Sequence, residues 1–128
     1  MKQINPNLTD HQKEVLFKGA TEAPGTGELL HNDKTGMYTC ANCGAELFTS
    51  DSKYTTTTPG LVGWPSFSEM SKKGTVTLQD DTSLGMVRQE AVCTNCGVHL
   101  GHLFDDEESP SGVHFCINSA SLDFSEKK

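Results

Sequence analysis

Residues 93–97 read CTNCG and residues 40–44 read CANCG, one five-residue unit used twice. Two residues between sulfurs let both thiols of such a turn reach one ion, and two turns supply the four ligands of a tetrahedral Zn²⁺. Gly44 and Gly97, each following a second cysteine, suit a backbone that turns back with φ > 0. Spacing alone leaves other readings open: two disulfides, or a thioredoxin-like redox pair at Cys40 and Cys43 beside an unrelated pair. The duplication favours a structural zinc, one per chain, on Cys40, Cys43, Cys93 and Cys96. Four thiolates leave such a metal no open position for chemistry.

Around this clip the chain reads as mainly β. MYTC, AELFT, TVTLQ, MVRQEAVC, VHLGHLF and GVHFCINSASLDF are short runs bounded by turn residues. TTTTPGLVGWPSFSEM, residues 55–70, holds two prolines and two glycines and is expected to be an ordered loop. Before them, Thr9 and Gln12 form a capping box, and Leu8, Val15 and Leu16 make a small apolar stripe. This predicts one helix over Asp10–Lys18, stopped by Gly19. The expected fold is two antiparallel sheets in a sandwich- or barrel-like arrangement, with a short N-terminal helix and a zinc clip. The 128 residues suit a single domain, with 1–7 and 125–128 expected to be flexible.

Composition narrows the function. With 10 Lys+Arg against 17 Asp+Glu, the net charge of −7 argues against nucleic acid or an anionic membrane as partner. No apolar run approaches the roughly 20 residues that span a bilayer. The N-terminus lacks the apolar core of a secretory signal. The expected setting is cytoplasmic, where thiols stay reduced and paired cysteines more often hold metal.

The fifth cysteine lies in HFCINSASLDF, residues 114–124. On a strand over 114–120, His114, Cys116, Asn118 and Ala120 share one face. A histidine and an amide then flank the thiol, a setting that favours the nucleophilic thiolate. A lone cysteine is more often a buried small hydrophobe. Histidines 99 and 102 shift the balance towards chemistry, since Gly101 between them permits a bulge that re-aims one ring. Trp64 suits either a core anchor or an aromatic wall for a methyl or thioether group.

Taken together, GWPSF (63–67), the two CxNCG knuckles, HLGHLFDD (99–106) and FCINSASLDF (115–124) resemble the B-type methionine sulfoxide reductases. The resemblance implies reduction of the R epimer of methionine sulfoxide, free or in oxidised proteins, and a monomer is expected. It implies Cys116 as nucleophile, leaving a sulfenic acid. His102, with His99 nearby, protonates or orients the sulfoxide oxygen, and Asn118 helps to position it. Trp64, with Phe124 behind it, holds the substrate methyl. Two departures stand out. Val62 occupies the place where many members carry a resolving cysteine, so thioredoxin or another external thiol is expected to recycle Cys116. His114 replaces the usual arginine beside the substrate, which makes support of the thiolate titratable, with activity expected to fall above about pH 7. The alternative is a zinc-stapled binding module of the same fold without catalysis.

Overall fold

The computed structural model describes residues 2–82, 85 and 87–127. Met86, with which the MVRQEAVC run begins, and Lys128 in the expected flexible tail lie outside them. Helix α1 (Asp10–Lys18) starts at the predicted box, with Gln12 N–H on Thr9 Oγ1 at 3.1 Å and Thr9 N–H on Gln12 Oε1 at 2.9 Å. It ends at Gly19 in the left-handed conformation, φ 70°, with Ala20 N–H closing back on the Glu14 carbonyl. Val15 and Leu16 are buried against the β core.

The strands are β1 (Gly36–Cys40), β2 (Glu46–Thr49), β3 (Lys53–Tyr54), β4 (Ser66–Phe67), β5 (Val76–Asp81), β6 (Arg88–Cys93), β7 (His99–Asp105), β8 (Val113–Ile117) and β9 (Leu122–Glu126). They form two antiparallel sheets, one ordered β2-β1-β9 and the other β3-β4-β8-β7-β6-β5. An aromatic cluster joins the sheets. Phe48 stacks on Phe67 at 4.4 Å, Tyr38 meets Phe67 edge-on at 5.0 Å, and Phe115 tilts against Phe48 at 5.5 Å.

Two sequence expectations change here. The 55–70 loop contains β4, which inserts between β3 and β8. The run 112–124 is not one strand but β8 and β9, in different sheets, separated by a 3₁₀ turn at Ser119–Ser121. Small buried residues permit this crossing, and Ser121 Oγ donates to the His99 carbonyl at 3.0 Å. Asn118 and Ala120 therefore leave the alternation that places His114 and Cys116 on one face. At the chain ends, β9 pairs with β1 as far as Glu126, and the Ile4 N–H donates to Asn42 Oδ1 at 2.7 Å.

Candidate active site and metal centre

Each knuckle closes a hairpin, CANCG between β1 and β2 and CTNCG between β6 and β7. Gly44 and Gly97 adopt φ of 80° and 81°, and their N–H groups return to the Cys40 and Cys93 carbonyls. The four Sγ atoms lie within 4.8 Å of one another, with Cys40–Cys96 at 3.7 Å and Cys43–Cys93 at 3.6 Å. A tetrahedron of Zn–S bonds of about 2.3 Å has sulfur–sulfur edges of about 3.8 Å, so the cluster fits such an ion. Because one knuckle belongs to each sheet, a shared ion stitches the two sheets together. Asn42 adds an Nδ2–H to Cys96 Sγ at 3.5 Å.

The six-stranded sheet carries a polar row on the face opposite Phe67 and Phe115. Register places Tyr54, Ser66, Cys116, His102, Glu90 and Gln79 side by side across all six strands. Directly opposed residues point the same way, with Cβ atoms about 5 Å apart. Cys116 thus faces His102 on one side and Ser66 on the other. His99 is three residues before His102, a spacing that puts side chains on opposite faces of a regular strand. A bulge between the Ala91–Gly101 and Val92–His99 pairs corrects this by inserting Leu100. The two imidazoles meet edge-on at 5.4 Å. Gly101 tolerates no side chain, because a Cβ there lies 2.0 Å from the Cys116 carbonyl oxygen.

Both histidines have carboxylate partners. His102 Nε2 lies 2.8 Å from Asp81 Oδ2, which also accepts from Arg88 at 3.3 Å. His99 Nδ1 lies 2.6 Å from Glu90 Oε2, and Gln79 steadies Glu90 through its other oxygen at 2.8 Å. Burial pushes the His99 pKa down despite Glu90, so at pH 7 its Nδ1–H donates to Glu90 while Nε2 stays bare. That nitrogen is buried with no hydrogen-bond partner among the described residues. A cleft of about 330 Å³ reaches the pair between Lys18, Thr21 and Arg88. The sequence shows acidic residues at 81 and 90 but not their partners, since only register reveals which histidine each one faces.

Cys116 is partly buried, and its pKa is pushed up to about 12, first by burial and second by the nearby Glu22 charge. At neutral pH it rests as a thiol. Burial disfavours the charged form of His114. It is fully buried, its Nδ1 lies 2.8 Å from Tyr54 Oη and 3.2 Å from Asp106 Oδ2, and burial pushes its pKa below 6.5. Hydrogen bonds from Tyr54 and Thr58 hold the Asp106 carboxyl well below the usual range. Burial thus shifts the titration of His114 downwards, away from the region above pH 7, and couples it to stability. The unfolded histidine takes up a proton near pH 6.5 that the folded one resists, so stability is full above that pH and is lost as pH falls through it. The cost is at most about 1.4 kcal/mol per pH unit for each histidine. In urea unfolding, His114→Gln is expected to lose less stability than wild type between pH 7.5 and 5.5. Equal losses would show that His114 is not the titrating group.

Asn118 is buried and fully engaged. Its Nδ2 donates to the Leu100 carbonyl in the bulge at 3.1 Å, and its Oδ1 accepts the Glu22 N–H at 3.1 Å. Trp64 is partly exposed, its indole N–H on the Glu22 carbonyl at 2.9 Å. Phe124 packs on Tyr38 at 4.8 Å and lines a separate cleft with Glu22 and Ser119. Glu22, absent from the sequence reading, is thus shared by three neighbours of the site. Its only signal is an acidic residue in a loop.

A single cysteine facing a histidine across a strand pair, on a β fold clipped by four other thiols, is the arrangement of a thiol-based oxidoreductase. Comparison with known proteins names the class. The SelR domain model matches residues 8–126. The peptide methionine sulfoxide reductase MsrB of Methanosarcina barkeri is 49% identical over 91% of this chain and 80% of its own length. The MsrB of Leptospira interrogans is 49% identical over 91% and 86%, and that of Teredinibacter turnerae 43% over 94% and 87%. The chain belongs to the SelR-domain family of peptide methionine sulfoxide reductases MsrB. Among solved structures, the Mis18 "Yippee-like" domain has a TM-score of 0.56 at 14% identity, over 74% of this chain and 99% of that one, a likeness of fold alone.

Proposed function

We propose that this chain reduces the R epimer of methionine sulfoxide, free or within proteins, through Cys116. The observation that carries the reading is the register that sets Cys116 opposite His102 in a chain of this family. A sulfoxide oxygen leaves only when protonated, so a nucleophilic sulfur and an acid must act together. The Cys116 thiol proton passes to the imidazole pair and on to the oxygen as sulfur attacks sulfur. The protonated oxygen then passes to the Cys116 sulfur as the substrate S–O bond and the transient S–S bond break, so methionine leaves and Cys116 is left as a sulfenic acid. Asp81 and Glu90 fix the tautomers, so that His102 offers Nδ1 and His99 offers Nε2. Trp64 forms one wall for the substrate methyl, and Asn118 holds the bulge in place.

Cys40, Cys43, Cys93 and Cys96 hold one structural Zn²⁺, which supplies folding free energy and no open coordination site. The exposed residue at position 62 is Val62 and the other four cysteines belong to the clip, so recycling comes from outside. A thiol such as that of thioredoxin attacks the sulfenic sulfur, water leaves, and a second thiol frees Cys116 as a disulfide forms on the reductant. The enzyme is expected to act as a monomer in the cytoplasm.

The test is a single turnover of R-methionine sulfoxide without reductant. One methionine per chain, one thiol lost and a trapped sulfenic acid on Cys116 are expected. Two thiols lost would mean that a clip cysteine or a second chain resolves the intermediate. No methionine would favour the binding module.

A further inference from the structure

Glu22 takes no part in the steps above, yet the site is built around it. Its side chain is 3% exposed, and its nearest basic group is the exposed His11 at 3.7 Å. Burying a carboxylate is costly unless hydrogen bonds compensate it. Here the carboxylate accepts the N–H groups of Ser119 and Ala120, in the turn that begins three residues after Cys116. Its own N–H donates to Asn118 Oδ1 and its carbonyl accepts the Trp64 indole. Gly27 leaves room for this, since a Cβ there lies 2.8 Å from Glu22 Oε1. Three parts of the site thus meet on one residue: the tryptophan wall, the asparagine that pins the bulge, and the end of the nucleophile's strand.

We propose that Glu22 is a positioning residue of the reductase site, a proposal that rests on the reading above. It fixes Trp64, Asn118 and the end of β8 in one geometry and sets its carboxylate beside the nucleophile. The other ionisable groups around Cys116 are His102 and His99 from β7, Glu90 behind them on β6, and His114 on its own strand, while β4 offers the hydroxyl of Ser66. The fixed positive charges stand beyond the histidines, Arg88 paired with the Asp81 that holds His102 and Lys18 at the rim of the cleft. The thiol therefore stays protonated until a bound sulfoxide receives the proton. Peroxide oxidises thiolates in preference to thiols, so the arrangement spares Cys116 in a chain without a resolving cysteine at position 62.

The experiment alkylates Cys116 of the zinc-loaded protein with iodoacetamide at pH 8, read by peptide mass, in wild type, Glu22→Gln and Glu22→Asp. Gln removes the charge and keeps the length; Asp does the reverse. Alkylation of Glu22→Gln is expected to be about tenfold faster, the gain in thiolate from one pKa unit. Glu22→Asp should stay within about twofold of wild type on the same scale. A Gln variant no faster than wild type overturns the charge. An Asp variant as fast as Gln overturns it too, reducing Glu22 to packing. Bound zinc in each variant reports the fold, and Glu22→Met repeats the neutral comparison should Gln fail to hold metal. Alkylation needs no sulfoxide, so a wild type that turns nothing over would sink the reductase reading while leaving this comparison readable.

Discussion

Cys116→Ser forms no detectable methionine from R-methionine sulfoxide, a loss of about 10⁴-fold or more, yet keeps its zinc and its melting temperature. A serine hydroxyl in the same place is a poor nucleophile towards a sulfoxide sulfur, and it leaves no rung of the sulfur oxidation ladder to climb. The structural cost is small. Cys116 lies on the polar row rather than in the aromatic core, beside Ser66, and is separate from the four-thiol cluster. Methionine released in the presence of excess dithiothreitol is the readout. Turnover retained in this variant would move the chemistry to one of the clip cysteines.

Removing the metal is expected to unfold the chain. Structural zinc in finger peptides is worth about 10–16 kcal/mol, against a whole-domain stability of about 5–15 kcal/mol. In this fold an ion at the clip would hold two sheets together, because one knuckle lies on each sheet, alongside the shared core of Phe48, Phe67, Leu47, Leu100 and Ile117. Treatment with a strong chelator, or Cys96→Ser, should abolish the cooperative melt seen by circular dichroism. A chain that melts as before with well under one equivalent of zinc would show that the thiols need no ion.

What the sequence made legible was local. The helix bounds, Thr9 to Gly19, follow from a capping box and a glycine, signals that act within four residues. The knuckles declare themselves by spacing, and Gly44 and Gly97 follow from the turn that the spacing requires. Cys116, His99 and His102 were candidates by residue type. Their mutual geometry was not legible, because it depends on the register between strands distant in sequence. The bulge at Leu100, which brings an odd-spaced pair of histidines to one face, exists only relative to β6. Asp81 and Glu90 become partners only when β5 and β6 pair beside β7. The break between β8 and β9 was hidden for a related reason. INSASL alternates as acceptably as many strands, and only the second sheet claims its latter half. His114 was read by residue type as titrating near neutrality, whereas burial, which only the fold reveals, lowers its pKa against the pull of Asp106.

Strand β8 has partners on both edges, β4 and β7. Backbone N–H groups in such a position exchange with solvent only through the large openings that approach global unfolding, unlike those of frayed ends and loops. The proposed nucleophile, Cys116, is therefore mounted on one of the last segments to yield. Many redox thiols sit on mobile loops that swing towards a partner. Held between two strands, Cys116 would be regenerated, on the proposed mechanism, only by a thiol that comes to a fixed sulfur on a rigid face. Recognition of the reductant then depends on the shape of that face as it stands.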